Sequence, residues 1–326
     1  MPTLLTYIAG RDGVVKRSSL EVLTRCRELA TAGGHDLAAV VVAPDPSAYV
    51  DAVAAYGVDA VYTVSNPIFS QHLNTPLLEA LTAVMEKVQP SLMAFSSTEA
   101  VKDVLGALAI RANAAVLPDV TTFDLIDGGV EALRPVMAAK LMARTQAKGS
   151  SVLVSVRSGS YEAVPASAAS TPTVTAIDFT FDEGSLQQTL REVVTVGGDT
   201  VDLSEAEVVV AAGRGIKDDE GKALIEELAG IFNAGIGASR AVVETGMFPA
   251  TAQVGQTGKV VSPDLYFAVG ISGAIQHVAG MSNSRVIVAI NKDANAAIFD
   301  YATYGLVGDL YQILPPLITA LREAKG

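Results

Sequence analysis

At 326 residues, half of them apolar, the chain has the length of two ordinary domains. A net charge of −12 argues against the basic surface that a nucleic-acid partner needs, and a single cysteine, Cys26, excludes an internal disulfide framework and an all-cysteine iron–sulfur cluster. No uninterrupted run of about 20 apolar residues is present, so membrane insertion is not expected.

The first residues, MPTLLTYIAG, enter an apolar strand without a basic leader, which predicts a cytoplasmic chain; a precursor already trimmed of a leader would read the same. Up to about residue 115, strands at Leu4 to Ala9, Leu37 to Ala43, Ala60 to Val64 and Leu92 to Ser96 alternate with helices. The helices are read at Ser18 to Ala32, Pro46 to Tyr56, Pro76 to Val88 and Ala100 to Arg111. Such alternation predicts a parallel sheet covered by helices. Thr75 is expected to cap the third helix with Pro76 in its first position, and the hydroxyls of Ser96, Ser97 and Thr98 to cap the fourth.

From 116 to 182 the helical period disappears. Short β-prone runs at Val120 to Ile126, Val130 to Val136, Leu141 to Ala147 and Val152 to Val156 predict an antiparallel extension of the first domain, with a hairpin at Asp127-Gly128-Gly129. A domain boundary is expected within Thr195 to Ser204, giving an N-terminal α/β domain over 1–198 and a C-terminal domain over 199–326.

The C-terminal part opens with a strand at Val208 to Ala212 and the turn Gly213-Arg214-Gly215. The third glycine of a dinucleotide fingerprint is missing, because Asp218 stands in its place, so the NAD pattern fails. The turn reads as a glycine loop that presents Arg214 to a pyrophosphate or to solvent. The polar, irregular segment GASRAVVETGMFPATAQVGQTGK offers Ser239, Arg240, Gln253, Gln256 and Thr257 as groups able to converge on a heterocycle. A strand at Leu265 to Val269, a turn at Gly270 to Gly273, a helix at Ala274 to Gly280 and a strand at Arg285 to Ile290 form a βαβ unit of Rossmann-like character. Ser272, Gln276, His277, Asn291 and Asp309 crowd the strand ends where such sheets bind ligands. Taken singly, the glycine turn is equally a tight connection and the histidine a packing residue. The tail from Asp309 reads as a helix bent or restarted at Pro315-Pro316, its apolar face of Leu317, Ile318 and Leu321 packing on its own domain or on another chain.

The runs AVGISGAIQHVAGM, VIVAINKD and YGLVGDL, with GRGIK, GASRAVVETG and QVGQTGK upstream, resemble the alpha subunit of electron transfer flavoprotein. The likeness spans about residues 204 to 315; over the first 190 it is one of layout. It implies one FAD in the C-terminal domain, with Arg240 over the flavin ring, Thr257 bonded to flavin N5, and His277 as donor at the N1/O2 edge. One-electron reduction places negative charge on that edge, so the resemblance implies a positive environment from Arg240 and His277. Ser272 and the turn residues Gly270, Ile271, Gly273, Ala274, Ile275 and Gln276 would carry the pyrophosphate, and Asn291 and Asp309 the adenosine end. Arg214, Ser239, Gln253, Val254, Gly255, Gln256 and Leu310 complete the implied set.

The resemblance further implies a heterodimer with a beta subunit, which holds AMP or a second FAD. Electrons would pass from acyl-CoA and other dehydrogenases to a quinone oxidoreductase, without a substrate of the chain's own. An electron-bifurcating version, a flavin-dependent dehydrogenase and a non-redox nucleotide-binding module are the rival readings. No nucleophile, general base or metal cluster is evident, and His35 and His72 lie far apart from the motifs.

Overall fold

The computed structural model of the chain describes residues 3–137, 141–186, 188–192 and 202–325. It divides into two compact units, Met1–Val193 and Val194–Gly326. The boundary expected between 198 and 199 lies outside the described residues.

The first unit begins with β1 (Thr3–Ile8), the two-residue pair β2 (Gly10–Arg11) and β3 (Val14–Val15), and α1 (Arg17–Gly33). It continues through β4 (Asp36–Ala43), α2 (Ser47–Ala54), β5 (Ala60–Ser65), α3 (Asn74–Val88), β6 (Leu92–Ser96) and α4 (Glu99–Arg111). The remaining strands are β7 (Ala115–Val120), β8 (Thr122–Ile126), β9 (Gly129–Val136), β10 (Leu141–Lys148), β11 (Val152–Val156) and β12 (Thr173–Ala176). Seven of these form a parallel sheet in the order β12-β5-β4-β1-β6-β11-β7.

Alternate residues of each strand feed opposite cores. Leu4, Ile8, Ala39 and Val41 pack with Val22, Leu23 and Val53 of α1 and α2. Leu5, Tyr7, Ala38 and Val40 pack with Leu81, Val84, Val104 and Leu108 of α3 and α4. Strands buried on both faces in this way read as continuous apolar runs.

The antiparallel extension consists of β8, β9 and β10 alone, in the order β10-β9-β8. Val152–Val156, expected to belong to it, instead lies in the parallel sheet between β6 and β7, with all five residues buried. A second correction concerns α3, which starts at Asn74, after Leu73 and without a side-chain cap, so Thr75 and Pro76 both fall inside the first turn. Pro76 is tolerated there because the first helical N–H groups have no partner to lose. Thr98 does cap α4, accepting a hydrogen bond from Val101 N at 3.3 Å.

The second unit contains β13 (Val208–Ala212), α5 (Asp219–Phe232), β14 (Gly235–Ala238), α6 (Arg240–Val243) and β15 (Leu265–Val269). After these come α7 (Ile275–Val278), β16 (Val286–Asn291), β17 (Tyr304–Val307) and α8 (Leu310–Lys325). The five strands are parallel, in the order β14-β13-β15-β16-β17. The chain therefore leaves β13 toward one side and returns to build outward on the other, which makes the carboxyl ends of β13 and β15 a topological switch point.

Helices α5 and α8 cover one face through Ile225, Leu228, Leu314 and Ile318, against Val210, Phe267 and Val269. The opposite face, carrying Val209, Tyr266, Ala268 and Ala289, is covered by irregular chain through Val254, Val261, Ile271, Met281 and Ile298. The helix expected over 274–280 thus shortens to the four residues of α7.

Helix α8 runs through Pro315 and Pro316 without the expected restart. Both prolines are exposed, so the carbonyls they leave unpaired are on the side open to water. Its apolar face packs on its own unit: Leu314 and Ile318 are buried in the core shared with α5, and Leu317 and Leu321 pack against it.

Glycines in this unit include some where a Cβ would meet main chain and some where it would meet nothing. A Cβ on Gly213 would stand 2.2 Å from Gly270 O, whereas one on Gly230, in α5, meets no atom within 4 Å. Gly213→Ala is therefore expected to lower stability by about 1–3 kcal/mol through a clash that no side chain can relieve. Gly230→Ala should raise it by roughly 0.5–1 kcal/mol. Urea unfolding of the two variants checks both signs.

Candidate functional site

The carboxyl ends of the second unit's strands surround a cleft of about 640 Å³, within the range usual for cofactor sites. Each strand contributes the residues that follow it: Arg214 and Gly215 after β13, Ser239 and Arg240 after β14, and Gly270, Ile271 and Ser272 after β15. Lys292 follows β16, and Gly308 and Asp309 follow β17. The loop from Gln253 to Thr257, with Ala274, Gln276 and His277 from the α7 region, closes the wall.

Two main-chain crossings set the shape. At the switch point Gly213 N donates to Val269 O at 2.7 Å and Gly215 N donates to Gly270 O at 3.2 Å. Gly270 has φ of 65°, a conformation natural to glycine. At the second crossing, Gln256 N donates to Gln276 O at 2.7 Å, and Gly255, with φ of 143°, lies against Gln276 and Gly280. The loop carrying Thr257 is thereby pinned to the segment carrying His277.

Several donors on the wall are left over once the fold is satisfied. The main-chain N–H groups of Ile271, Ser272 and Ala274 have no acceptor among the described residues. Arg214 and Lys292 have no carboxylate partner among the described residues. Arg240 donates from Nε to Glu244 Oε1 at 2.8 Å, but both side chains are exposed, and such pairs contribute little. In a chain of net charge −12, Arg214, Lys217, Arg240 and Lys292 thus gather around one cleft, against Glu244 and Asp309. An anion with hydrogen-bond acceptors fits this wall.

His277 is the buried member. Its Nε2 meets Tyr266 Oη at 3.0 Å, while Nδ1 has no hydrogen-bond partner of ordinary geometry. Burial pushes its pKa from 6.5 down to about 4, against a smaller upward pull from the Val254 backbone. The imidazole is therefore neutral near pH 7, and the positive environment expected from Arg240 and His277 together falls to Arg240 and the other cations.

Of the residues singled out from sequence, all but Gly273 and Ile275 line the cleft. Gly273 serves the fold instead: a Cβ there would stand 2.2 Å from Ile298 N. Ile275 begins α7 and is half-exposed away from the wall. Asn291 and Asp309 are partly committed to the chain itself. The Asn291 amide donates to Ile271 O at 2.8 Å and accepts from Asp293 N, and Asp309 accepts from Tyr311 N at the start of α8. Thr257 Oγ1 accepts from Gln253 Nε2 at 3.0 Å, which leaves its own proton to donate elsewhere.

Sequence reasoning did not assign Lys217, Glu244, Lys292 or Tyr311 to the site, although all line it. Lys292 follows the last residue of a strand, a position that could have marked it. Tyr311 offers no such signal. Its hydroxyl donates to Asp218 Oδ1 at 2.9 Å and accepts from Lys217 N, tying the glycine loop to α8.

A family model described as the electron transfer flavoprotein FAD-binding domain matches residues 202–282, and one described as the electron transfer flavoprotein domain matches residues 4–182. The chain is 37% identical to the electron transfer flavoprotein subunit alpha of Mycobacterium leprae over 327 residues, covering 100% of both chains. It is 34% identical to the subunit alpha of Bacillus subtilis, over 96% of this chain and 95% of the other. Protein FixB of Clostridium saccharobutylicum is 34% identical, over 96% of this chain and 94% of its own. The chain belongs to the electron transfer flavoprotein alpha-subunit family.

Proposed function

We propose that this chain binds one FAD in the cleft of its C-terminal domain, residues 199–326, and carries electrons without converting a substrate of its own. In this reading it pairs with a beta subunit in the cytoplasm. That subunit holds AMP or a second FAD. Electrons arrive from acyl-CoA and other flavin dehydrogenases and leave to a quinone oxidoreductase or a similar acceptor. The observation that supports it most is the convergence, at a topological switch point, of spare main-chain donors and unpaired cations in an otherwise acidic chain.

FAD, when bound, supplies the one- and two-electron chemistry. The chain's residues bind and orient. Arg214 and the N–H groups of Ile271, Ser272 and Ala274 would hold the pyrophosphate, and Asp309, Leu310 and Asn291 would border the adenosine end. Thr257, with its proton free to donate, Gln253 and His277 would meet polar edges of the ring system, and Arg240 would supply the cation beside it. Ser239, Val254, Gly255 and Gln256 shape the wall. A guanidinium can leave Glu244 for the ring at small cost, because the exposed pair contributes little to stability.

Co-expression with the presumed beta subunit and a visible spectrum taken through a stepwise dithionite titration test this directly. A yellow complex with one FAD per alpha chain, passing through a red anionic one-electron stage, is the expected result. The bifurcating version would show additional flavin in the partner subunit. A colourless complex that refuses added FAD would remove the flavin and leave a nucleotide-binding module.

Arg240→Ala should retain FAD but hold a smaller fraction of it at the one-electron stage. A loss of roughly 1 kcal/mol, on the order of 40 mV, is expected for a charge working beside solvent. Potentiometry on the variant checks this, and an unchanged fraction removes Arg240 from its role. Acid titration gives an independent check on His277. Its folded-state pKa lies below the unfolded value, so the unfolded chain binds the extra proton first. Stability should then fall as pH drops from about 6.5 to about 4, by up to roughly 3 kcal/mol. His277→Gln should flatten that part of the pH–stability curve.

A further inference from the structure

Tyr266 lies inside β15, at 0% exposure, and does not line the cleft. Its ring packs in the core beneath the wall, with Ala268, Ile271 and Met281. Phenylalanine would fill that space equally well, and a buried hydroxyl costs free energy unless it is bonded. Among the described residues its hydroxyl has one hydrogen-bond partner, His277 Nε2, at 3.0 Å.

Counting protons fixes the direction of this bond. A neutral imidazole has one N–H and one bare nitrogen. If Nε2 carried the proton, it would donate to the tyrosine oxygen. The hydroxyl hydrogen would then have no acceptor, and Nδ1 would be a bare nitrogen, also unpartnered. If Nδ1 carries the proton, the hydroxyl donates to Nε2 and is satisfied, and the Nδ1–H is left without a bond of ordinary geometry, with only the weaker pull of the Val254 backbone on the ring. Turning the ring over puts a carbon against the hydroxyl and orphans it again. The arrangement with the fewest unmade bonds is the second.

We propose that Tyr266 is a positioning residue: by donating to Nε2 it holds His277 in the tautomer that carries its proton on Nδ1, so the imidazole offers a bound ligand a fixed N–H donor. The inference rests on the reading of the cleft as a flavin site, in which His277 serves the electron-rich N1/O2 edge. An unlocked imidazole would spend part of its time with a bare nitrogen in the donor's place. A bare nitrogen beside that edge would repel negative charge instead of stabilising it.

The chain has three histidines, so nitrogen NMR can read this tautomer in the full protein. The alpha chain, labelled with ¹⁵N-histidine and paired with its beta subunit, is examined by long-range proton–nitrogen correlation before and after FAD loading. His35→Gln and His72→Gln assign the other two signals. Wild type should show Nδ1 protonated and Nε2 bare, with a bias of about tenfold or more, the equivalent of one buried hydrogen bond. Tyr266→Phe should bring the two tautomers close to even, a change that general loosening of the fold would not confine to one imidazole. A wild-type proton on Nε2, or a variant spectrum identical to wild type, overturns the proposal. Should Tyr266→Phe fail to fold, the wild-type spectrum still decides the tautomer. If the tautomer is as stated but the Nδ1 signal does not shift on FAD loading, the flavin contact of His277 falls while the Tyr266 lock stands.

Discussion

The cleft depends on two main chains meeting where no side chain fits. A Cβ on Gly215 would stand 2.9 Å from Gly270 Cα, and the corresponding atom on Gly213 would be closer still to Gly270 O. This contact aligns the carboxyl ends of β13 and β15 through two hydrogen bonds, so that Arg214 is held between two fixed points and the turn after Gly270 is free to present its N–H groups. The missing third glycine of the dinucleotide pattern becomes intelligible here. Asp218 occupies that position and caps α5 through Gly221 N, while also receiving the Tyr311 hydroxyl. The close approach is moved three residues on, to Gly221, where a Cβ would stand 2.7 Å from Tyr311 Oη. The loop is thus tied to α8 rather than packed tightly under its own helix.

What the sequence disclosed and what it hid follow the range of the interactions. Strands with long apolar runs, such as Val208–Ala212 and Leu265–Val269, announce themselves because burial on both faces removes polar residues from the pattern. The four-residue β14 and β17, GIGA and YGLV, do not, since each is weak in composition and β17 is exposed throughout. Val152–Val156 was visible as a strand but not its neighbours, which are β6 and β7, brought beside it only by the whole fold. Register and partner are properties of distant chain, and local propensity does not contain them.

The site follows the same division. Residues in the glycine turns and polar loops could be read because their types are unusual at those places. Tyr311 could not, because in sequence it is one more residue of an amphipathic helix, and its role comes from Asp218, 93 residues away. The charge on His277 was misread for a related reason. The resemblance implied a positive environment from it, but its burial beneath the wall holds the imidazole neutral.

That burial divides the work of the cleft between two kinds of group. The guanidinium of Arg240 is exposed and held by a weak surface pair, so it brings full charge and can be drawn to a ligand at small cost. The imidazole of His277 is dry, neutral and bonded from below, so it brings direction without charge. An imidazolium in that layer would have to be desolvated without a carboxylate beside it, and the fold would lose stability to keep it. A neutral donor avoids that cost in the ligand-free chain and still strengthens when negative charge develops against it, because the surrounding medium screens it little. Charge supplied from the rim and orientation supplied from the core are therefore complementary solutions to one requirement. In the proposed reading, the cleft favours an electron-rich ring without storing a buried cation.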